Sequence, residues 1–70
     1  MRYAIVIEKA ERNFSAYVPD LPGVIATGKT KAIVEKNIFS AIQFHIEGLK
    51  EENMKIPKAH AESEIMVFPL

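Results

Sequence analysis

The seventy residues contain no cysteine and no tryptophan. Without thiols the chain has no disulfide framework, no thiolate metal site and no cysteine nucleophile. It lacks a charge excess too: nine Lys and Arg stand against nine Asp and Glu, a formal net charge of zero. The basic surplus usual in proteins that grip nucleic-acid phosphates is therefore missing, and direct nucleic-acid binding is not expected. No apolar run approaches the ~20 residues that span a bilayer. The stretch Tyr3–Ile7 follows a single Arg2 and ends at Glu8. It is too short for a secretory leader and carries no small-residue cleavage site. A soluble, cytoplasmic protein without membrane contact is the expectation.

What is present is the composition of an ordinary globular domain, 49% hydrophobic and 26% charged. At this length residues 1–70 form one domain. A domain of about 60 residues buries only about 60% of its unfolded surface, so the core is thin. With no disulfide or evident metal site to reinforce it, self-association is the natural further source of stability, and a homo-oligomer is expected.

Tyr3, Ile5 and Ile7 alternate with Ala4, Val6 and Glu8, the period of a strand. Lys9 through Asn13 have hairpin-loop length, and Asn13 tolerates a turn conformation. Phe14–Val18 alternates again, with Phe14, Ala16 and Val18 on one face, until Pro19 withholds a ladder N–H. Leu21-Pro22-Gly23-Val24 fits a type II turn, with proline second and glycine third. A short strand, Val24–Thr27, closes an antiparallel meander at Gly28.

Thr30 has the character of a helix N-cap, without the capping box, since Ile33 stands three residues on. The helix is expected from about Lys31 to about Glu52. At 3.6 residues per turn, Val34, Ile38, Ala41, Ile42, His45 and Leu49 share a face, opposite Lys36, Ser40, Gln43, Glu47 and Lys50. Phe39 and Ile46 flank that face on one side, Ile33 and Phe44 on the other. One small sheet cannot cover so wide a sector. The four either form the rim of the core or are candidate subunit-interface residues. Asn53 is placed to end the helix. Glu62–Phe68 is expected as a fourth strand, giving an α+β order of β-β-β-α-β.

The residues offer little to an enzyme. His45 and His60 have no second ligand at metal spacing, and His45 lies on the face assigned to the core. Ser15, Ser40 and Ser63 lack a nucleophile-elbow context, and no phosphate-binding glycine loop exists. The element order is similar to the first half of a ribonuclease H-like fold, whose enzymes gather acids around divalent metal. Glu8, Asp20 and Glu35 are the acids that a metal-dependent nuclease would need, and scattered surface carboxylates are the competing reading. Charge is uneven along the chain. Through Ile46 six basic side chains meet four acidic ones, a balance of +2; from Glu47 onward three meet five, a balance of −2. Such an acidic region could steer a basic partner.

Tyr17-Val18-Pro19-Asp20-Leu21-Pro22-Gly23, then Thr27-Gly28-Lys29-Thr30, then Asn37 with Ser40-Ala41-Ile42, fall in one order along the chain. Phe44–Lys50 and Ile56-Pro57 continue it. In this pattern the sequence resembles the HicB-like antitoxins of type II toxin-antitoxin systems, over nearly its whole length. The resemblance implies a degenerate, partial ribonuclease H-like domain: one helix packed on one face of a four-stranded mixed sheet. It implies no ribonuclease active site, no metal and no cofactor.

It also implies a partner, a small basic HicA toxin that cleaves messenger RNA with a histidine, which the antitoxin masks. The candidate partner-binding residues are Asp20 and Leu21 in the turn, together with an exposed strand edge. Many relatives carry a further C-terminal DNA-binding module. The sequence given stops at Leu70, directly after the expected fourth strand, which reads as a short form without that module. Locally it departs from the pattern in having Val24 where cysteine is frequent, Lys29 for a usual acid, and Ala32 and Ile33 for two glutamates. Those glutamates would favour the positive end of the helix. A solitary, oligomeric HicB-like binding or scaffold protein is the alternative reading.

Overall fold

A hairpin begins the molecule: β1 (Val6–Lys9) and β2 (Phe14–Tyr17) pair antiparallel, with Ile7 opposite Ala16 and Lys9 opposite Phe14. The Ala10 N–H donates to the Asn13 carbonyl at 2.8 Å and closes the loop. The computed structural model describes all of residues 1–70. β3 (Ile25–Gly28) adds antiparallel to the other side of β2, with Ala16 opposite Ala26, so the sheet order is β1-β2-β3.

The link from β2 to β3 is built by two successive turns. Pro19 ends the strand, and the Leu21 N–H donates to the Val18 carbonyl at 3.1 Å. The Val24 N–H then donates to the Leu21 carbonyl at 3.1 Å, around Gly23 at φ +84°. That is the expected type II turn, and its third position needs the left-handed backbone that glycine adopts without a steric cost.

α1 (Lys31–Glu51) starts where the Thr30 hydroxyl accepts from the Ile33 N–H at 3.1 Å. It stops at Asn53, whose φ of 55° lets the Asn53 N–H reach the Lys50 carbonyl and the Met54 N–H reach that of Leu49. This pair of bonds is a Schellman closure. The helix crosses β2 and β3 on one face of the sheet. A Cβ built on Gly28 would lie 2.6 Å from the Val34 nitrogen, so the end of β3 meets the first helical turn at a distance only glycine allows.

The core is small and continuous: Ala16, Val18, Leu21, Val24, Val34 and Ile38. Phe14, Ile7, Tyr3, Ala26, Ala41 and Ile42 cover it. The inward faces read from the period-2 and period-3.6 patterns are thus the inward faces of the fold. Ile5 is the exception: it is exposed while Tyr3 and Ile7 pack against the core.

One expectation is corrected. The sheet has three strands, all antiparallel, and not four in a mixed arrangement. Glu62–Phe68 ends in the apolar, β-prone run Ile65–Phe68 but joins no ladder. A strand is defined by its partner, and within this chain these residues have none.

Candidate functional site

The surface divides into three places that could meet a partner. The first is the turn after β2. Leu21 is 0% exposed and sits at the centre of the core, so its side chain is no contact surface. The turn itself offers Pro19, Pro22 and Gly23, all exposed.

Asp20 has a structural engagement that sequence spacing could not reveal. Its Oδ2 accepts from the backbone N–H groups of both His60 and Ala61, each at 3.0 Å. A charged acceptor with two donors makes bonds stronger than neutral ones. They fasten the chain after the helix to the turn before β3. Nearby, the Tyr3 hydroxyl donates to the Pro57 carbonyl at 2.6 Å. The Asn37 amide donates to the Thr27 carbonyl at 2.8 Å and ties the helix to the end of β3. Asn37 stood in the sequence pattern without a role; this side-chain bond gives it one.

The second place is the outer part of the helix. Ile33 and Phe39 are exposed, Phe44 is 81% exposed, and Ile46 is half-buried. Phe39 and Ile46 line a groove of about 470 Å³ with Met1, Tyr3 and Ile42, between the N-terminal residues and the second half of the helix. Phe44 and Ile33 are not among its lining residues. Of the two flanking pairs, Phe39 and Ile46 thus share this groove.

The third is the C-terminal segment, where Ile65 is 94% and Val67 91% exposed. Its root, residues 59–63, is separated from Arg2, Tyr3 and Ala4 by a cleft of about 660 Å³. The acids Glu47, Glu51, Glu52, Glu62 and Glu64 are all exposed.

Glu8, Asp20 and Glu35 are not brought together: no group of three or more His, Asp or Glu side chains is placed to share a metal ion. His45 is half-buried along the helix, and His60 is exposed beside Asp20. No helix is long and apolar enough to cross a membrane.

A family model described as the HicB-like antitoxin of bacterial toxin-antitoxin systems matches residues 3–69. The chain belongs to the HicB-like antitoxin family. Among curated proteins it is 44% identical over 63 residues to a UPF0150 protein of Thermoplasma acidophilum, covering 89% of this chain and 91% of that one. It is 40% identical over 60 residues to an uncharacterized 14.9 kDa protein in the rep-hol intergenic region of Haemophilus phage HP1. That match covers 86% of this chain but 45% of the phage protein, so the HicB-like chain spans less than half of this relative. Among solved structures, a chain of a HicA3 and HicB3 toxin-antitoxin complex superposes with a TM-score of 0.71 at 35% identity. The superposition covers 86% of this chain and 70% of that one. The antitoxin family and the α+β arrangement of three strands and one helix thus stand on sequence and structure together.

Proposed function

We propose that this HicB-like chain binds a small, basic, HicA-type toxin and blocks access to the histidine with which that toxin cleaves messenger RNA. The observation that carries the reading is the structural likeness, at 35% identity, to a chain from a toxin-antitoxin complex. Masking needs a surface and no reactive group. In this reading no residue is given a catalytic role. The exposed acids from Glu47 to Glu64 give a basic partner a complementary field, which speeds encounter more than it tightens the final complex. The contact surface in this reading is the exposed part of the Asp20 turn together with a free sheet edge. The site of action is the cytoplasm, where messenger RNA is translated. In this reading the three strands and helix correspond to the opening part of a ribonuclease H-like fold, with Glu8, Asp20 and Glu35 left apart.

Co-expression tests this. A toxin encoded beside this chain should arrest growth when produced alone and cease to do so when the chain is produced with it. Persistent toxicity, or a neighbouring gene that encodes no small basic protein, contradicts the proposal.

The alternative, a solitary HicB-like binding or scaffold protein, draws on the exposed Ile33, Phe39 and Phe44, which a masking role alone does not use. In that reading the protein is a homo-oligomer joined through the helix. Phe39→Glu and Ile46→Glu should then lower the sedimenting mass. Equal masses for wild type and both variants would remove this reading.

A further inference from the structure

The C-terminal segment has the sequence of a strand and none of a strand's bonds. Ile65 and Val67 alternate with Glu64, Met66 and Phe68. All of Glu62–Leu70 is exposed, yet the segment is rich in large apolar side chains. Its one backbone hydrogen bond is local, from the Leu70 N–H to the Phe68 carbonyl.

The radius of gyration is 13.9 Å, where a packed domain of this length has about 11 Å. The long axis is 49 Å, although a helix of this length spans only about 32 Å. Such an excess is what an exposed segment outside every helix and ladder adds.

The root of the segment is fixed. Asp20 holds the amides of His60 and Ala61, and Tyr3 holds the Pro57 carbonyl. The segment therefore leaves the body beside the N-terminal residues but across the cleft from Arg2, Tyr3 and Ala4, and no backbone hydrogen bond crosses that cleft. On the body, β1 is an edge strand whose outer N–H and C=O groups are unpaired. The charges are complementary. The segment carries Glu62 and Glu64, while Arg2 and the Met1 amine lie at the start of the edge and Lys9 and Arg12 at its end.

We propose that two copies of this chain exchange these segments, residues 62–68 of each pairing with the free edge of β1 in the other. A reciprocal exchange about a two-fold axis closes with two copies and leaves no segment unmatched. It satisfies the unpaired backbone groups of both elements and covers an edge that would otherwise invite aggregation. A second copy is the occupant because it brings the missing strand and a vacant edge in equal number.

The test uses the protein alone, so its failure leaves the antitoxin reading untouched. The chain has no native cysteine, and Ile65→Cys can carry a single benzophenone photocrosslinker. The nitrogen-15-labelled variant is unfolded and refolded with an equal amount of unlabelled wild type, illuminated, and its cross-linked peptides are weighed. Exchange predicts bonds from residue 65 to residues 2–9, about half of them to unlabelled chains. Bonds to labelled residues 2–9 alone would mean that the segment closes on its own sheet. Bonds to the helix, or none to residues 2–9, would place it elsewhere; either result overturns the proposal. Sedimentation supplies an independent reading. Wild type should be a dimer, and the doubly substituted Ile65→Pro, Val67→Pro chain a monomer with unchanged helical circular dichroism. A wild type that stays monomeric at every concentration up to 0.1 mM, taken as an order-of-magnitude ceiling for a specific dimer, contradicts exchange.

Discussion

Phe14–Tyr17 and Glu64–Phe68 are both short stretches rich in β-branched, aromatic or other apolar residues, and they end in opposite situations. β2 lies between two antiparallel neighbours, and the helix covers its inner face, so Ala16 is buried and Phe14 packs against the core. The C-terminal residues join no ladder, and Ile65 and Val67 stand exposed to water. The difference lies in what each segment reaches. A propensity for β structure is a fit to a pleated, half-buried surface, and it is realised only where such a surface is supplied. In β2 the hairpin and the type II turn supply it within a few residues. In the C-terminal segment the Asp20 and Tyr3 ties fix the root, and in the exchange proposed above a second copy supplies the surface.

Substitutions should separate the two regions by size of effect. The largest belongs to the core. Leu21→Ala and Ile38→Ala remove side chains that are 0% and 1% exposed, and each should lower stability by about 2–5 kcal/mol in urea titration. A cost below about 1 kcal/mol would mean that this cluster does not organise the fold.

Next is Gly28→Ala, which sets a methyl group against the Val34 backbone and should cost about 1–3 kcal/mol by separating β3 from the helix. No loss of melting temperature would show that the close approach is dispensable.

The tie between the regions comes third. Asp20→Ala should cost about 1 kcal/mol and release the His60 and Ala61 amides to fast hydrogen exchange, whereas Asp20→Asn should retain part of their protection. Unchanged exchange in the alanine variant would break the assigned role.

Smallest of all is Ile65→Ala, within about 0.5 kcal/mol when the protein is dilute. A cost equal to that of Leu21→Ala under those conditions would erase the contrast.

The sequence reading succeeds where local chemistry is sufficient. Thr30, Gly23 and Asn53 each act through bonds to residues within a few positions, and each marks its element where expected. Helical and strand periods identify Val34, Ile38, Ala16 and Val18 as inward for the same reason. The fourth strand fails because pairing is non-local: alternation in Glu64–Phe68 says what the segment can do and not whom it meets.

Asp20 and Leu21 illustrate the same limit at the candidate site. Adjacent in the turn, they suggest a shared contact. Only the fold shows that Leu21 fills the core while Asp20 holds a loop forty residues away. The exposed Phe44 was legible as surplus apolar surface, since the helix carries more such residues than one small sheet covers.

Amide hydrogen exchange followed from dilute to concentrated protein tests the division between the two regions most directly. Amides of β2 and the middle of α1 should be protected at every concentration, because their bonds lie within one chain. Those of residues 64–68 should exchange freely when dilute and become protected as concentration rises, together with the outer edge of β1. Protection of residues 64–68 that is equal at all concentrations would contradict the account.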